Sequence, residues 1–207
     1  MRINKVWLRL GIFPVLGLLL ATIIIMDNIN LLTRRDSITF TYLESLRNGN
    51  AGYGEISDYN NDISLASLKP GDILLGGWPN CAYGSFSHAG LYLGNNEVLE
   101  GYVDSGITIN TVDHYRNYAQ ACILRVQTSE NVKKRAIEYA RQQEGKIFYP
   151  VAFKNGERYW NCSKIIWKAY MEQNIDLDNT HDLWIAPVFF CNSPYAKIIG
   201  LKGEIYD

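Results

Sequence analysis

This 207-residue sequence has no excess of cations: 20 Lys and Arg stand against 21 Asp and Glu, for a formal net charge of -1. Nucleic-acid backbones are gripped by clustered basic side chains, and no such cluster occurs, so nucleic acid is excluded as a partner. Cysteine is scarce and unpatterned, at positions 81, 122, 162 and 191, with no CxxC spacing and no histidine at ligand spacing beside any of them. The usual sequence signatures of a zinc site are therefore missing, and no cofactor is expected. Four cysteines in a domain this large imply no disulfide framework, although a bridge among Cys81, Cys122 and Cys191 stays open if the domain faces an oxidising compartment. A low-complexity, charge-rich composition is also lacking: 47% of residues are hydrophobic and 20% charged, which gives enough apolar side chain for a packed core.

What is present begins with an apolar run. Arg2, Lys5 and Arg9 precede an uncharged stretch from Leu10 to Met26, about 17 residues and near the lower limit for a spanning helix. The stretch offers no A-x-A cleavage site and no lipobox cysteine, so the expectation is an uncleaved anchor over residues 1–32. The basic cluster ahead of it puts the N-terminus inside and the rest of the chain extracytoplasmic, as a single-pass membrane protein. Residues 33–63 read as a short helix, Ser37 to Arg47, followed by a polar, turn-rich linker through Asp62. Residues 64–207 then form the globular domain.

Within that domain, Leu68-Lys69-Pro70-Gly71-Asp72 turns into a strand at Ile73, and Ser87 to Gly94 places a histidine at the mouth of a second strand that returns as Glu97-Val98-Leu99-Glu100. With a three-residue turn, Leu93 pairs with Glu97 and Glu100 becomes a diagonal neighbour of His88 on one face, close enough for a carboxylate to fix the imidazole tautomer and raise its basicity. A two-residue turn would put Glu100 on the opposite face. Further strands are expected at Ile107–Ile109 and 121–126, and a helix capped by Ser129 and stopped by Gly145. His114 and His181, in polar surroundings, read as solvated surface residues.

Tyr159-Trp160-Asn161-Cys162-Ser163 leads into a helix whose Ile165, Ile166, Ala169 and Tyr170 recur at helical spacing. Unpaired N–H groups and the positive end of the helix dipole favour a thiolate at Cys162 and can face a developing oxyanion. A helix-start cysteine, a strand-start histidine and a carboxylate are the nucleophile, base and orienter of a cysteine hydrolase or acyltransferase.

Four segments make the resemblance specific: Lys69-Pro70-Gly71-Asp72-Ile73-Leu74, the hairpin from Ser87 to Glu100, Asn161-Cys162-Ser163 with Trp167-Lys168-Ala169-Tyr170, and a tail with Asp182-Leu183 and Ser193-Pro194. Together they resemble the circularly permuted, YiiX-like branch of the NlpC-type papain-like hydrolases, in which His precedes Cys. The resemblance implies an α+β, permuted papain-like fold, a small antiparallel sheet or barrel packed on helices. It also implies Cys162 as nucleophile, His88 as base and Glu100 as third member. The family pattern tends to Tyr before the Cys and Glu two after it, where this chain has Asn161 and Lys164, a departure that touches substrate preference more than core chemistry. The expected function is cleavage of an amide bond, in a cell-wall peptide or related substrate, through an acyl-thioester on Cys162. The alternatives are a lipid esterase or acyltransferase, and a non-catalytic domain that binds peptide or lipid at the membrane.

Overall fold

The structure, a computed structural model, describes residues 5–34, 37–180 and 182–205. Helix α1 runs Lys5–Asp27, α2 Ile29–Thr33 and α3 Ile38–Arg47. The globular part then lays down β1 (Ile73–Gly77), β2 (His88–Gly94), β3 (Glu97–Tyr102), β4 (Gly106–Thr111) and β5 (Gln120–Val126), followed by helices α4 (Glu130–Arg141) and α5 (Cys162–Met171) and a last strand, β6 (Ala196–Lys202). The six strands form one antiparallel sheet in the order β4-β3-β2-β1-β5-β6. This mixture of helices and antiparallel sheet is the α+β class expected.

Strand alternation sorts the core into two faces. Ile73, Leu75, Leu91, Leu99 and Leu124 join Ile165, Ile166 and Ala169 of α5 and Ala136 and Ala140 of α4 in the main core. Leu74 and Val98 point the other way, onto Val112, Tyr115 and Tyr118. Helix α5 packs on α4 and on β2 and β3, which sets its N-terminus against the strand that begins with His88. The Lys69-Pro70-Gly71-Asp72 turn is pinned from both ends: Asp72, fully buried, accepts from the Lys69 N–H at 2.8 Å and from both Nε and Nη2 of Arg125 in β5 at 3.0 and 2.7 Å.

The β2–β3 hairpin reconciles the two turn lengths that the sequence leaves open. Its turn is the two residues Asn95 and Asn96, both at positive φ (54° and 65°), a conformation for which Asn is suited. An irregularity between Tyr92 and Gly94 then absorbs one residue, so that Tyr92 pairs with Val98 and Leu91 with Leu99. That is the register of the three-residue reading, and it keeps Glu100 on the side of His88.

The stretch read as stalk and linker packs on the domain. Ile38 and Ile63 are both buried, and Asp182 accepts from the Ile38 N–H at 2.8 Å while pairing with Arg34 at 3.1 Å. The anchor expected over residues 1–32 falls partly outside the described residues. Among those described, no helix is long and apolar enough to cross a membrane. From Ile12 onward α1 leaves Phe13, Leu18 and Met26 exposed. His181 lies outside the described residues.

Candidate active site

Asn161 caps α5: its backbone is extended (φ -127°, ψ 174°) and its Oδ1 accepts from the Lys164 N–H at 2.7 Å. Its Nδ2 donates to the Pro150 carbonyl at 3.1 Å, which ties the loop ahead of the helix to the helix start. Lys164, buried, reaches back to donate to the carbonyls of Gly156 and Tyr159 at 2.7 and 2.9 Å, closing the same loop from beneath. Cys162 is thereby fixed at the first helical residue, buried but lining a cavity of about 490 Å³.

His88 meets it from the start of β2. Its Nε2 lies 2.8 Å from Glu100 Oε2, and its other ring nitrogen is left for the Cys162 thiol, whose ionisation the imidazole favours. The ring is held flat by Tyr102, stacked at 4.7 Å between centroids and 16° between planes, with Tyr118 at 6.2 Å and 14°. The three residues expected to act together are therefore brought together.

The carboxylate is more heavily used than the sequence suggests. Glu100, fully buried, receives His88 Nε2, the Tyr115 hydroxyl at 3.1 Å and His114 Nε2 at 3.2 Å on Oε2, and Asn110 Nδ2 at 2.9 Å on Oε1. The reading of His114 as a solvated surface residue is corrected: the 3-10 turn Val112–Asn117 folds back over β3 and lays the imidazole against Glu100. Asn110 could have been read from the β3–β4 pairing, in which Glu100 faces Thr108 and position 110 is the next on that face. No periodicity signals the 3-10 turn that delivers His114, Tyr115 and Tyr118.

These contacts set the charge states. Burial pushes the Glu100 carboxyl up, but the hydrogen bonds from His114 and His88 outweigh it and hold it well below the usual carboxylate range. Burial pulls His88 down, yet its bonds to Cys162 and Glu100 raise it to about 10. Burial raises the Cys162 thiol, but the His88 imidazole beside it, together with the Ala89 N–H, brings it below the ordinary thiol value. The site thus favours a thiolate paired with an imidazolium. Burial alone lifts Cys81 to about 11 and suits it to a neutral packing role. Among the described residues no group of three His, Cys, Asp or Glu side chains is arranged to hold a metal ion.

The cavity in front of Cys162 is walled by aromatic and aliphatic side chains, among them Tyr42, Tyr53, Trp78, Phe148, Trp184 and Ile185; among the described residues Asp104 is its one carboxylate and no Lys or Arg lines it. Ile56, Val103 and Val151 line it and are also exposed, giving it an apolar mouth. A family model described as permuted papain-like amidase enzyme, YaeF/YiiX, C92 family, matches residues 67–184. Comparison with the curated proteins and with the solved structures gave no match.

Proposed function

This chain belongs to the permuted papain-like amidases of the YaeF/YiiX type, and from that premise we propose that it cleaves its amide through an acyl-thioester on Cys162. The observation that carries the proposal is that the Cys162 thiol and His88 line one cavity, with Glu100 bonded to His88 behind it. The Cys162 thiolate attacks the amide carbonyl carbon, and the C–S bond forms as the carbonyl π pair moves to oxygen. First-turn N–H groups that a helix start leaves unpaired, those of Cys162 and Ser163, are the donors available to that oxyanion. The His88 imidazolium gives its proton to the departing amine as the C–N bond breaks. Neutral His88 then takes a proton from water as hydroxide oxygen bonds to the acyl carbon, and the thiolate leaves.

The cavity speaks to what the amide carries. A cell-wall stem peptide brings carboxylates, for which the lining offers no Lys or Arg among the described residues, whereas aromatic and aliphatic walls with an apolar mouth suit an uncharged acyl chain. We therefore favour an N-acyl amide with an apolar acyl group over an acidic peptide. The same walls support the second reading, hydrolysis of a lipid ester. Exposed Phe13, Leu18 and Met26 on α1 support attachment of the chain to a lipid surface, where such substrates reside.

The test is to incubate the protein with a long-chain N-acyl amino acid, the matching acyl ester and a muropeptide, and to follow both free product and the mass of the peptide containing Cys162. The expected result is acylation of Cys162 and turnover of the N-acyl amide, both lost in Cys162→Ala. Turnover of the muropeptide alone would overturn the apolar-acyl assignment; turnover that survives Cys162→Ala would overturn the thioester.

A further inference from the structure

Because His88 hands its proton to the departing amine, the amine has to lie on the His88 side of the cavity. Tyr102 stacks on His88 at 4.7 Å between ring centroids, and both line the cavity. Tyr102 ends β3, and the chain turns through Val103, Asp104 and Ser105 before Gly106, which pairs with Tyr102, opens β4. Val103 and Asp104 line the cavity too. Two residues of chain span at most about 7 Å, so Asp104 stands a few bonds beyond the scissile nitrogen, on the amine's side.

The turn that carries Asp104 is fixed from below. Gly106 sits at φ 73°, where a Cβ would come within 2.6 Å of the Lys146 carbonyl oxygen, and the Ile107 N–H donates to that same oxygen at 3.0 Å. Gly101 admits a close neighbour in the same way: a Cβ there would fall 2.7 Å from Cδ2 of Phe148, so the Phe148 ring lies directly on β3. Phe148 thus joins Tyr102 and Asp104 in lining this side of the cavity. The side-chain hydrogen bond that Asp104 receives is a long one, from Ser105 Oγ to Oδ1 at 3.4 Å. The cations of the neighbouring loop are turned elsewhere: Lys146 donates to Gln143 and lies over the Trp160 ring at 5.0 Å, and Arg158 lies over the Tyr159 ring at 5.2 Å. Among the described residues Asp104 has no ion pair.

We infer that the departing amine of the substrate carries a second, positively charged nitrogen, which Asp104 holds together with the rings of Phe148 and Tyr102. The inference rests on the acyl-transfer reading above and narrows it. An ammonium group is attracted by a carboxylate and by the faces of aromatic rings, and this side of the cavity supplies both without a cation of its own. The acyl group takes the remaining, apolar part of the cavity. The substrate class is therefore an N-acyl diamine, or an amide of another amine of that charge, and Asp104 is the residue that sets the preference.

The experiment compares three amides of one acyl chain in the full-length protein: N-octanoyl putrescine, N-octanoyl pentylamine and N-octanoyl δ-aminovalerate. Their leaving amines have nearly the same length and end in a cation, a methyl group and an anion. In wild type kcat/KM should fall in that order, by about three- to tenfold at each step, and the spread should shrink in about 0.5 M salt. Asp104→Asn should bring the three within about twofold of one another, and Asp104→Lys should reverse the order. Each comparison is a ratio within one protein, so a general loss of activity cancels, and a merely structural role for Asp104 would not re-order substrates by charge. The same order in Asp104→Asn, or no order in wild type, overturns the inference. Calorimetric binding of the three amides to Cys162→Ala separates it from the hydrolase reading. Binding that follows the charge order, in a protein whose wild type turns over none of them, removes the hydrolase reading and keeps this one. Turnover without a charge order does the opposite, and neither binding nor turnover of any of the three overturns both.

Discussion

At His88 burial and hydrogen bonding pull in opposite directions, and its removal gives the most direct readout. Burial works against both the imidazolium and the thiolate; the imidazolium is kept by Cys162 and Glu100, and the thiolate chiefly by His88. With His88→Ala the thiol loses its partner while the burial penalty stays. At pH 7 an ordinary thiol is ionised to a few per cent, so the rate of Cys162 alkylation should fall by about 30-fold or more. Equal rates in the two proteins would remove the basis for an activated thiolate. Glu100→Gln keeps the shape of the side chain but not its charge, and should lower kcat by about 10²- to 10⁴-fold, the range for loss of a well-oriented general base. The same groups fix a pH dependence of stability. His88 is raised to about 10 in the fold, so its contribution is whole below its unfolded value of about 6.5 and is lost as pH rises through about 10. Cys162 is lowered, so its contribution is whole above the unfolded thiol value of about 8.5 and is lost as pH falls through the folded one. Between about 6.5 and 8.5 the two trends cancel, because the fold has only moved a proton from one group to the other. Thermal unfolding of the wild type should therefore be flat across that window and decline above it. In Cys162→Ser, where the His88–Glu100 bond remains, the decline should already begin near 6.5; superimposable profiles would deny the ion pair.

At the scale of elements, the nucleophile depends on one helix start and the base on one hairpin. Asn161→Ala removes the bond to the Lys164 N–H and the bond to the Pro150 carbonyl together, and should cost about 1 kcal/mol in urea unfolding while slowing alkylation of Cys162. Gly77, the last residue of β1, gives a sharper case. A methyl group there would be driven into the backbone of Ser85, which cannot swing aside as a side chain could, and Ser85 leads into the chain that carries His88. Gly77→Ala should destabilise by about 1–3 kcal/mol and lower activity beyond what the stability loss explains, a split visible by assaying well below the unfolding temperature. The same two elements show what the sequence made legible. The helix start could be read because its signals are local, a cysteine followed by apolar residues at helical spacing. The hairpin could be read up to its turn, but whether Glu100 shares a face with His88 hung on an irregularity at Leu93 that compensates a two-residue turn, and strand patterns do not announce such a feature. Strand β6 and the 3-10 turn bearing His114 escaped because β6 is a half-exposed edge strand without strong alternation and a single tight turn has no period. The carboxylate cluster was thus visible only as the pair His88 and Glu100.

For the whole molecule, the question is where the working unit begins. A domain cut at Ser64 keeps Cys162, His88 and Glu100, but it forfeits Ile38, Tyr42, Tyr53 and Ile56, which form one wall of the cavity, and it leaves Asp182 buried without the Ile38 N–H and Arg34. Ile38 and Ile63 are each 3% exposed, and burying a side chain of that size contributes about 1.5–3 kcal/mol. A protein of residues 64–207 should therefore unfold at a temperature lower by roughly 10 °C than one of residues 34–207, taking about 2–4 °C per kcal/mol for a domain of this size. It should also fail to discriminate between short and long acyl chains, since the wall that would measure chain length is gone. Discrimination that survives the cut would place the acyl group elsewhere. The longer protein lacks α1, and that separates catalysis from attachment: residues 34–207 should keep full turnover of a soluble N-acyl amide yet remain in the supernatant when sedimented with lipid vesicles, whereas the full chain should pellet with them. If residues 34–207 pellet as well, the attachment lies in the exposed apolar side chains at the cavity mouth, Ile56, Val103 and Val151, and α1 is not what brings the enzyme to its substrate.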